Sequence, residues 1–421
     1  MNAPDESALA AIACADTVAR DPAFAGISAW HDELTRIRHH LHQHPEIGYE
    51  EHDTAALVVR ELERYGVDEI HTGVGITGVV GVIRGREPAR GARRTIGLRA
   101  DMDALPMHEE NEFEHRSRIP GMMHGCGHDG HTTMLLGAAR YLAQTRAFAG
   151  TVHLIFQPGE EGFAGAKAMI DDGLFERFPC DAVFAMHNWP GLPAGVLAVR
   201  PGPVMAAADR ITIRIHGRGG HGAHPYMTVD PVVIAGHVIT AVQTIVSRNV
   251  SPVDSAVVSL CAMQAGDMGA MSVIPPSATL VGTVRSFRRE TQDRVETRLR
   301  ELIESIATGF GGSAEVAYER LYPATVNSPA EAAFAAEVAA GLVGPDHLVG
   351  DLEPSMGAED FAFMLQERPG AYFRIGQAGQ PGGCFLHNTR YDFNDAILPL
   401  GAALFTRLAE RWLPVNTDTA R

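Results

Sequence analysis

The chain has 421 residues, long enough for two domains and a sizeable core. It carries 35 basic against 51 acidic side chains, a formal net charge of −16, which argues against a nucleic-acid or anionic-membrane partner, since both need a basic face. Five cysteines (Cys14, Cys126, Cys180, Cys261, Cys384) are odd in number, scattered and free of any CxxC pair, so they read as a reducing, cytoplasmic setting rather than a disulfide framework.

The N-terminal run to Arg20 holds Asp5, Glu6 and Asp16 and lacks the basic region and apolar core of a signal peptide. No stretch is read as approaching the roughly 20 apolar residues that span a bilayer. Residues 30–65 read as two helices interrupted at His44-Pro45, where proline removes a backbone donor. His39, His40, His42 and His44 crowd the first helix. Only His40 and His44 fall one turn apart, so these histidines read as structural or solvent-facing. Gly73-Val74-Gly75-Ile76-Thr77-Gly78 matches GxGxxG, but a strand-like run, 79–83, follows where a dinucleotide site needs a helix, so it reads as a glycine turn. GxSxG, P-loop and HExxH motifs are absent.

Three strand-like runs then lead into polar loops. Residues 95–98 run into Asp101-Met102-Asp103, 151–156 into Gln157-Pro158-Gly159-Glu160-Glu161, and 181–186 into His187-Asn188-Trp189-Pro190. Helical runs over 131–145 and 163–173 separate them, which indicates an α/β fold with a mixed, mostly parallel sheet. In such sheets ligands collect beyond the carboxyl ends of the strands. Residues 201–320 follow another pattern: strand 210–216, helix 231–246, strands 256–262 and 278–286, helix 294–310, strand 314–319. This βαββαβ order is a ferredoxin-like sandwich inserted between two parts of one domain, 1–200 and 321–421. A helix over 330–341, a strand over 371–375 and a helix over 399–412 complete the chain.

The densest chemistry is His124-Gly125-Cys126-Gly127-His128-Asp129-Gly130-His131. Cys126 and His128 are two apart, so a glycine-rich turn can aim a thiolate and an imidazole at one ion, a pairing that suits zinc or another borderline first-row metal. The run opens a helix, and a cysteine at a helix N-terminus is expected to deprotonate readily. Two ions need about five to eight donors, and the candidates are Cys126, His128, Glu161, His187 and His387. Glu160 and Glu161 are neighbours whose side chains should diverge in an extended loop. One can bind metal while the other serves the reacting water as general base. Asp103 can accept from a ligand imidazole and fix its tautomer.

The chain resembles the M20 metallopeptidase family, in its aminoacylase, hippurate hydrolase and auxin-conjugate hydrolase branch. The resemblance rests on Arg99-Ala-Asp-Met-Asp-Ala-Leu-Pro106, Met123 to His131, Phe156-Gln-Pro-Gly-Glu-Glu161, Met186-His-Asn-Trp-Pro190, Gly217-Arg-Gly-Gly-His-Gly-Ala-His-Pro225, Gly357-Ala-Glu-Asp-Phe361, and Leu386-His387 with Asp392-Phe-Asn-Asp395. It implies a two-metal catalytic domain holding zinc, manganese, cobalt or nickel, and an inserted lid that pairs subunits into a homodimer or larger assembly. It assigns metal ligation to Cys126, His128, Glu161, His187 and His387, and the general base to Glu160. His221 is implied as the oxyanion donor from the partner lid, Arg285 as the clamp on the substrate carboxylate, and Asn249 as a further substrate contact. Tyr226 stands where relatives often carry histidine. The implied reaction is hydrolysis of a small N-acyl amino acid, hippurate-like, acetylated or indoleacetylated. The rivals are a dipeptidase or carboxypeptidase of the same family and a non-catalytic ligand-binding relative.

Overall fold

The computed structural model describes residues 12–88, 94–378 and 384–415, so residues 1–11 of the acidic N-terminal run lie outside the described residues. The chain forms two compact units. The first comprises Met1–Val204, Val326–Glu353 and Phe363–Arg421, and the second Met205–Thr325 and Pro354–Ala362.

The first unit is built on an eight-stranded mixed sheet. Its order is Glu69–Val74, Gly78–Arg84, Thr151–Gln157, Thr95–Asp101, Val183–Pro193, Gly370–Ala378, Leu197–Ala198, Leu348–Val349. The four middle strands, from Thr151–Gln157 to Gly370–Ala378, are mutually parallel, and antiparallel strands flank them on both sides. Thr95–Asp101 and Thr151–Gln157 are buried along almost their whole length, as expected when both faces of a parallel sheet are covered. The GxGxxG run is the turn of the antiparallel hairpin between Glu69–Val74 and Gly78–Arg84. The helix His128–Thr145 is buried on nearly every side and packs against Leu398–Trp412, His31–Gln43 and His52–Tyr65. A helix buried on nearly every side belongs in a core, and this one starts at the carboxyl-end loops of the sheet with His128, Asp129 and His131 in its first turn.

The second unit is a four-stranded antiparallel sheet ordered Ala256–Ala265, Ser277–Ser286, Ala207–His216, Ser313–Tyr322. In chain order this is the 4-1-3-2 arrangement of a ferredoxin-like βαββαβ unit. Two helices, Pro231–Thr244 and Arg289–Gly309, pack on the sheet through Ile234, Val238, Val242, Val295, Leu299 and Ile303. Asp230 starts the first helix by accepting the N–H of Val232 at 2.8 Å, with Pro231 in the first turn.

One sequence expectation is corrected here. The helical segment Pro231–Asn249 is, by length and composition, apolar enough to cross a membrane. The periodicity suggests an end near Val246, but a wider π turn over Ile245–Asn249 lengthens the segment. One face of it is core, and the other shows Val232, Val233 and Ile239 to solvent.

Candidate metal centre

The carboxyl ends of the parallel strands carry the candidates in the first unit. Thr95–Asp101 ends in Asp101, with Asp103 two residues on; Thr151–Gln157 leads into Glu160-Glu161; Val183–Pro193 carries His187 and Asn188. Cys126 stands just before the helix His128–Thr145. Gly127, between them, has φ +95 and its α-carbon lies so near Asn188 and Tyr391 that a Cβ would meet Asn188 Oδ1 and the Tyr391 hydroxyl at 2.5 Å. Only glycine combines that backbone with that clearance.

The fold brings all five proposed ligands together with Glu160. Cys126, His128 and His187 form one group, Cys126, Glu161 and His387 a second, and His128, Glu160 and Glu161 a third; within each, the ligand atoms lie within 4.8 Å of one another. Cys126 Sγ lies 3.3 Å from His187 Nε2, and His387 Nε2 lies 3.1 Å from Glu161 Oε1. His387 has φ +59, and its N–H donates to the Gly125 carbonyl at 2.8 Å, which fastens its loop to the Cys126 turn.

His128 Nδ1 faces the Asp103 carbonyl at 2.9 Å and Asp103 Oδ1 at 3.1 Å. Its Nε2 is buried and has no hydrogen-bond partner among the described residues. An imidazole held from behind, with its other nitrogen bare in a buried group of thiol and carboxylates, is what a divalent cation requires. The residues present therefore fit a metal centre of mixed sulfur, nitrogen and oxygen donors.

Two expectations about this centre need correcting. Glu160 and Glu161 do not diverge: residues 160–162 form a tight turn, closed by Gly162 N–H to the Glu160 carbonyl at 2.8 Å, and both carboxylates reach the group around His128. The alternation of an extended chain does not apply to a turn. Nor do the protein groups ease the deprotonation of Cys126. Burial and the charges of Glu161, Glu160 and Asp101 push its pKa well above the usual thiol value. That surplus of negative charge is itself a reason for a cation to bind. Burial opposes the charged form of His128, but Asp101, Asp103 and Glu161 outweigh it and raise its pKa to about 10. His187 goes the other way, held neutral by burial and by its neighbours His131 and His128.

A second layer was not singled out from the sequence. His131 Nδ1 lies 2.6 Å from Asp101 Oδ1, and His131 Nε2 accepts the Asn188 N–H at 3.0 Å. Arg99 donates from Nη1 to Asp101 Oδ2 at 2.7 Å. Asn188 donates to the Tyr391 hydroxyl at 2.6 Å. The signal was present: Asp101 and Asp103 are two apart at a strand end and so share a face.

The four helix histidines are not part of this centre. His42 is buried and pairs with Asp129 at 2.8 Å and Glu109 at 3.2 Å, His39 pairs with Asp395 at 2.8 Å, and the rings of His40 and His44 lie 4.5 Å apart.

His221, Asn249 and Arg285 belong to the second unit. His221 is exposed, and its Nδ1 accepts the Ala223 N–H at 3.0 Å, so the neutral ring carries its proton on Nε2. Arg285 is half-buried on Ser277–Ser286 and donates from Nε to Thr283 Oγ1 at 3.2 Å; its Nη1 and Nη2 make no hydrogen bond or ion pair among the described residues. Asn249 ends the π turn, and its carbonyl accepts from Arg294 Nη1 at 3.4 Å. Tyr226 is exposed.

The family model for Peptidase family M20/M25/M40 matches residues 97–411. The chain belongs to this family. Hippurate hydrolase of Campylobacter jejuni is 41% identical over 381 residues, which cover 90% of this chain and 97% of that protein. Thermostable carboxypeptidase 1 of Saccharolobus solfataricus is 37% identical over 388 residues, covering 90% and 95%. The crystal structure of YXEP from Bacillus subtilis, described as a dinuclear metal-binding peptidase of the M20 family, superposes with a TM-score of 0.79 at 35% identity, covering 91% of this chain and 99% of that one. This M20 protein is a metal-dependent hydrolase of amide bonds, and divalent metal is its cofactor class.

Proposed function

We propose that the protein hydrolyses N-acyl amino acids to a carboxylic acid and a free amino acid. The observation that carries this reading is the convergence of Cys126, His128, Glu161, His187 and His387 with Glu160 in overlapping groups, buried at Cys126, His128, His187 and Glu160 and open to solvent at His387, in a chain so similar to a hippurate hydrolase. Cys126, His128, Glu161, His187 and His387 would hold two divalent ions, of zinc, manganese, cobalt or nickel. Such ions supply polarisation of the amide carbonyl and a water acidified toward neutrality. Glu160 takes the proton of the attacking water and returns it to the leaving nitrogen. Asp103 keeps the imidazole of His128 turned with Nδ1 away from the centre.

The remaining roles fall to the second unit. His221 offers an Nε2–H donor to the developing oxyanion, and we assign it to the site of a partner subunit. Arg285 offers two terminal nitrogens in a planar fork to the substrate carboxylate, with Asn249 as a further contact. The partner is a second copy in a homodimer or larger assembly. The apolar outer face of Pro231–Thr244 and the edge strand Ala256–Ala265, where Met263 is exposed, support that pairing.

The similarity to a carboxypeptidase favours one second reading, a peptide as the acyl group. A panel of acetyl-, benzoyl- and indoleacetyl-amino acids and dipeptides, assayed after chelation and with each metal added back, separates the two. Turnover of dipeptides alone overturns the acyl reading, and full activity after complete chelation overturns the metal centre.

A further inference from the structure

The connector between the helices His31–Gln43 and His52–Tyr65 carries a carboxylate that none of these roles uses. Glu51 is fully buried. Its Oε1 accepts the Gly159 N–H at 2.7 Å, and its Oε2 accepts the Thr77 hydroxyl at 2.6 Å. Burial, with the nearby charge of Asp103, pushes its pKa up to about 7. A buried carboxylate costs stability that an apolar side chain would not, so its contacts are where its effect has to lie.

Those contacts bear on the residue that precedes Glu160. Gly159 has φ +56, a conformation that opens the turn over 160–162. Beyond that first amide, the Glu161 N–H donates to Asp103 Oδ2 at 2.9 Å. The Glu160-Glu161 pair is thus suspended between two carboxylates, Glu51 on the amide before it and Asp103 on the amide of its second member. The same connector grips both loops again. The Glu46 carbonyl accepts the Ala104 N–H at 2.8 Å, next to Asp103, and the Tyr49 hydroxyl donates to the Phe163 carbonyl at 2.8 Å. Tyr49 itself has φ +69, a strained backbone for a residue with a side chain, which persists only where the surroundings over-determine it.

We propose that Glu51 is a positioning residue for Glu160: by holding the Gly159 amide it sets the direction in which the Glu160 carboxylate leaves the turn, while Asp103 separately sets Glu161. The proposal rests on Glu160 being the general base. It implies an uneven effect, with turnover depending on Glu51 and metal retention not.

The test compares Glu51→Ala, Glu51→Gln and Thr77→Val in the full-length, metal-loaded enzyme, with Glu160→Gln alongside. Five quantities are read: kcat, KM, bound metal, thermal midpoint and amide exchange at Gly159. Misplacing a catalytic group by an ångström costs on the order of 10²-fold. Glu51→Ala is therefore expected to lose roughly that much kcat, with KM and metal content unchanged and Gly159 exchange faster. Glu51→Gln keeps an acceptor for the amide and should recover most of the loss. Thr77→Val loosens the same carboxylate and should lower kcat by less; it carries the test if Glu51→Ala does not fold. Unchanged kcat in Thr77→Val and in any folded Glu51→Ala overturns the proposal. So does a kcat loss that only follows metal loss, or a Glu51→Gln as damaged as Glu51→Ala. Normal turnover by Glu160→Gln would instead remove the base assignment. An inactive Glu160→Gln beside unaffected Glu51 and Thr77 variants removes only the positioning role.

Discussion

In the first unit the charged groups around the strand ends are buried and hold one another. Asp101 is gripped by Arg99 and His131, and the fully buried Arg38 reaches Asp392 at 2.9 Å and Asp395 at 2.7 Å. In the second unit the residues proposed to act stand outside the sandwich core: His221 is exposed and Arg285 half-buried. The contrast has an energetic meaning. Removing one partner of a buried ion pair leaves an uncompensated charge and costs about 3–5 kcal/mol. Removing an exposed side chain usually costs less than about 0.5 kcal/mol. Chemistry and stability are therefore coupled in the first unit and separable in the second.

The largest expected effect tests the coupled side. Glu160→Gln should lose about 10²–10⁴-fold in kcat while keeping its metal, because Glu160 acts on the proton and Glu161 on the ion. Loss of metal, or near-normal turnover, would break the division of labour between the two neighbours.

His221→Ala tests the separable side. An oxyanion donor typically contributes about 10²–10³-fold in kcat, and the exposed ring should leave the thermal midpoint where it was. A mixture of subunits decides whose site the ring serves. Equal amounts of Glu160→Gln and His221→Ala, co-refolded, should regain about a quarter of wild-type activity, because half the dimers are mixed and each has one intact site of two. No recovery despite proven exchange would return His221 to its own subunit or to no role.

The third prediction concerns the buried network. Burial disfavours the His42 imidazolium, but hydrogen bonds to Asp129 and Glu109 outweigh this and raise its pKa from 6.5 to about 9. The folded state thus holds a proton that the unfolded chain releases near pH 6.5. The stabilisation is complete below that pH and is lost as pH rises through 9, a change on the order of 3 kcal/mol. Denaturant unfolding at a series of pH values from 6 to 10 should show a decline that is smaller in His42→Gln than in wild type by about that amount, the rest coming from His128, whose pKa is raised as well. A decline of equal size in the two proteins removes His42 as a source.

Arg285 is expected to show the smallest effect. Hydrogen bonds to charged groups contribute about 1.5–3 kcal/mol. Arg285→Ala should lose that much in kcat/KM on free acids, little on the matching amides, and nothing in thermal midpoint. Wild-type enzyme that hydrolyses amide and acid equally well would end the assignment.

How much of this could be read along the chain depended on distance. Glu160 and Glu161 follow an apolar run and Cys126 and His128 open one, so their placement after a strand and at a helix start was legible; the strand expected to end before His187 instead runs through it to Pro193. The Asp101 to His131 contact spans 30 residues and Arg38 to Asp392 spans 354, and no local pattern marks either pair. Along the chain Glu51 is one more acidic residue before a helix, and only the hairpin turn with Thr77 and the loop with Gly159 give its carboxylate anything to hold.

The sequence by itself determined the elements, the order of the βαββαβ insertion and the inventory of donors. Apolar alternation and glycine punctuation act between near neighbours, and the motif residues keep their chemistry wherever they are placed. The tertiary structure alone decided which carboxylate meets which imidazole, that Glu160 and Glu161 reach the same group, and that Cys126 holds its proton more tightly than a helix N-terminus suggests. Those outcomes are set by burial and by distances through space, and a charge responds to what surrounds it, not to what precedes it in the chain.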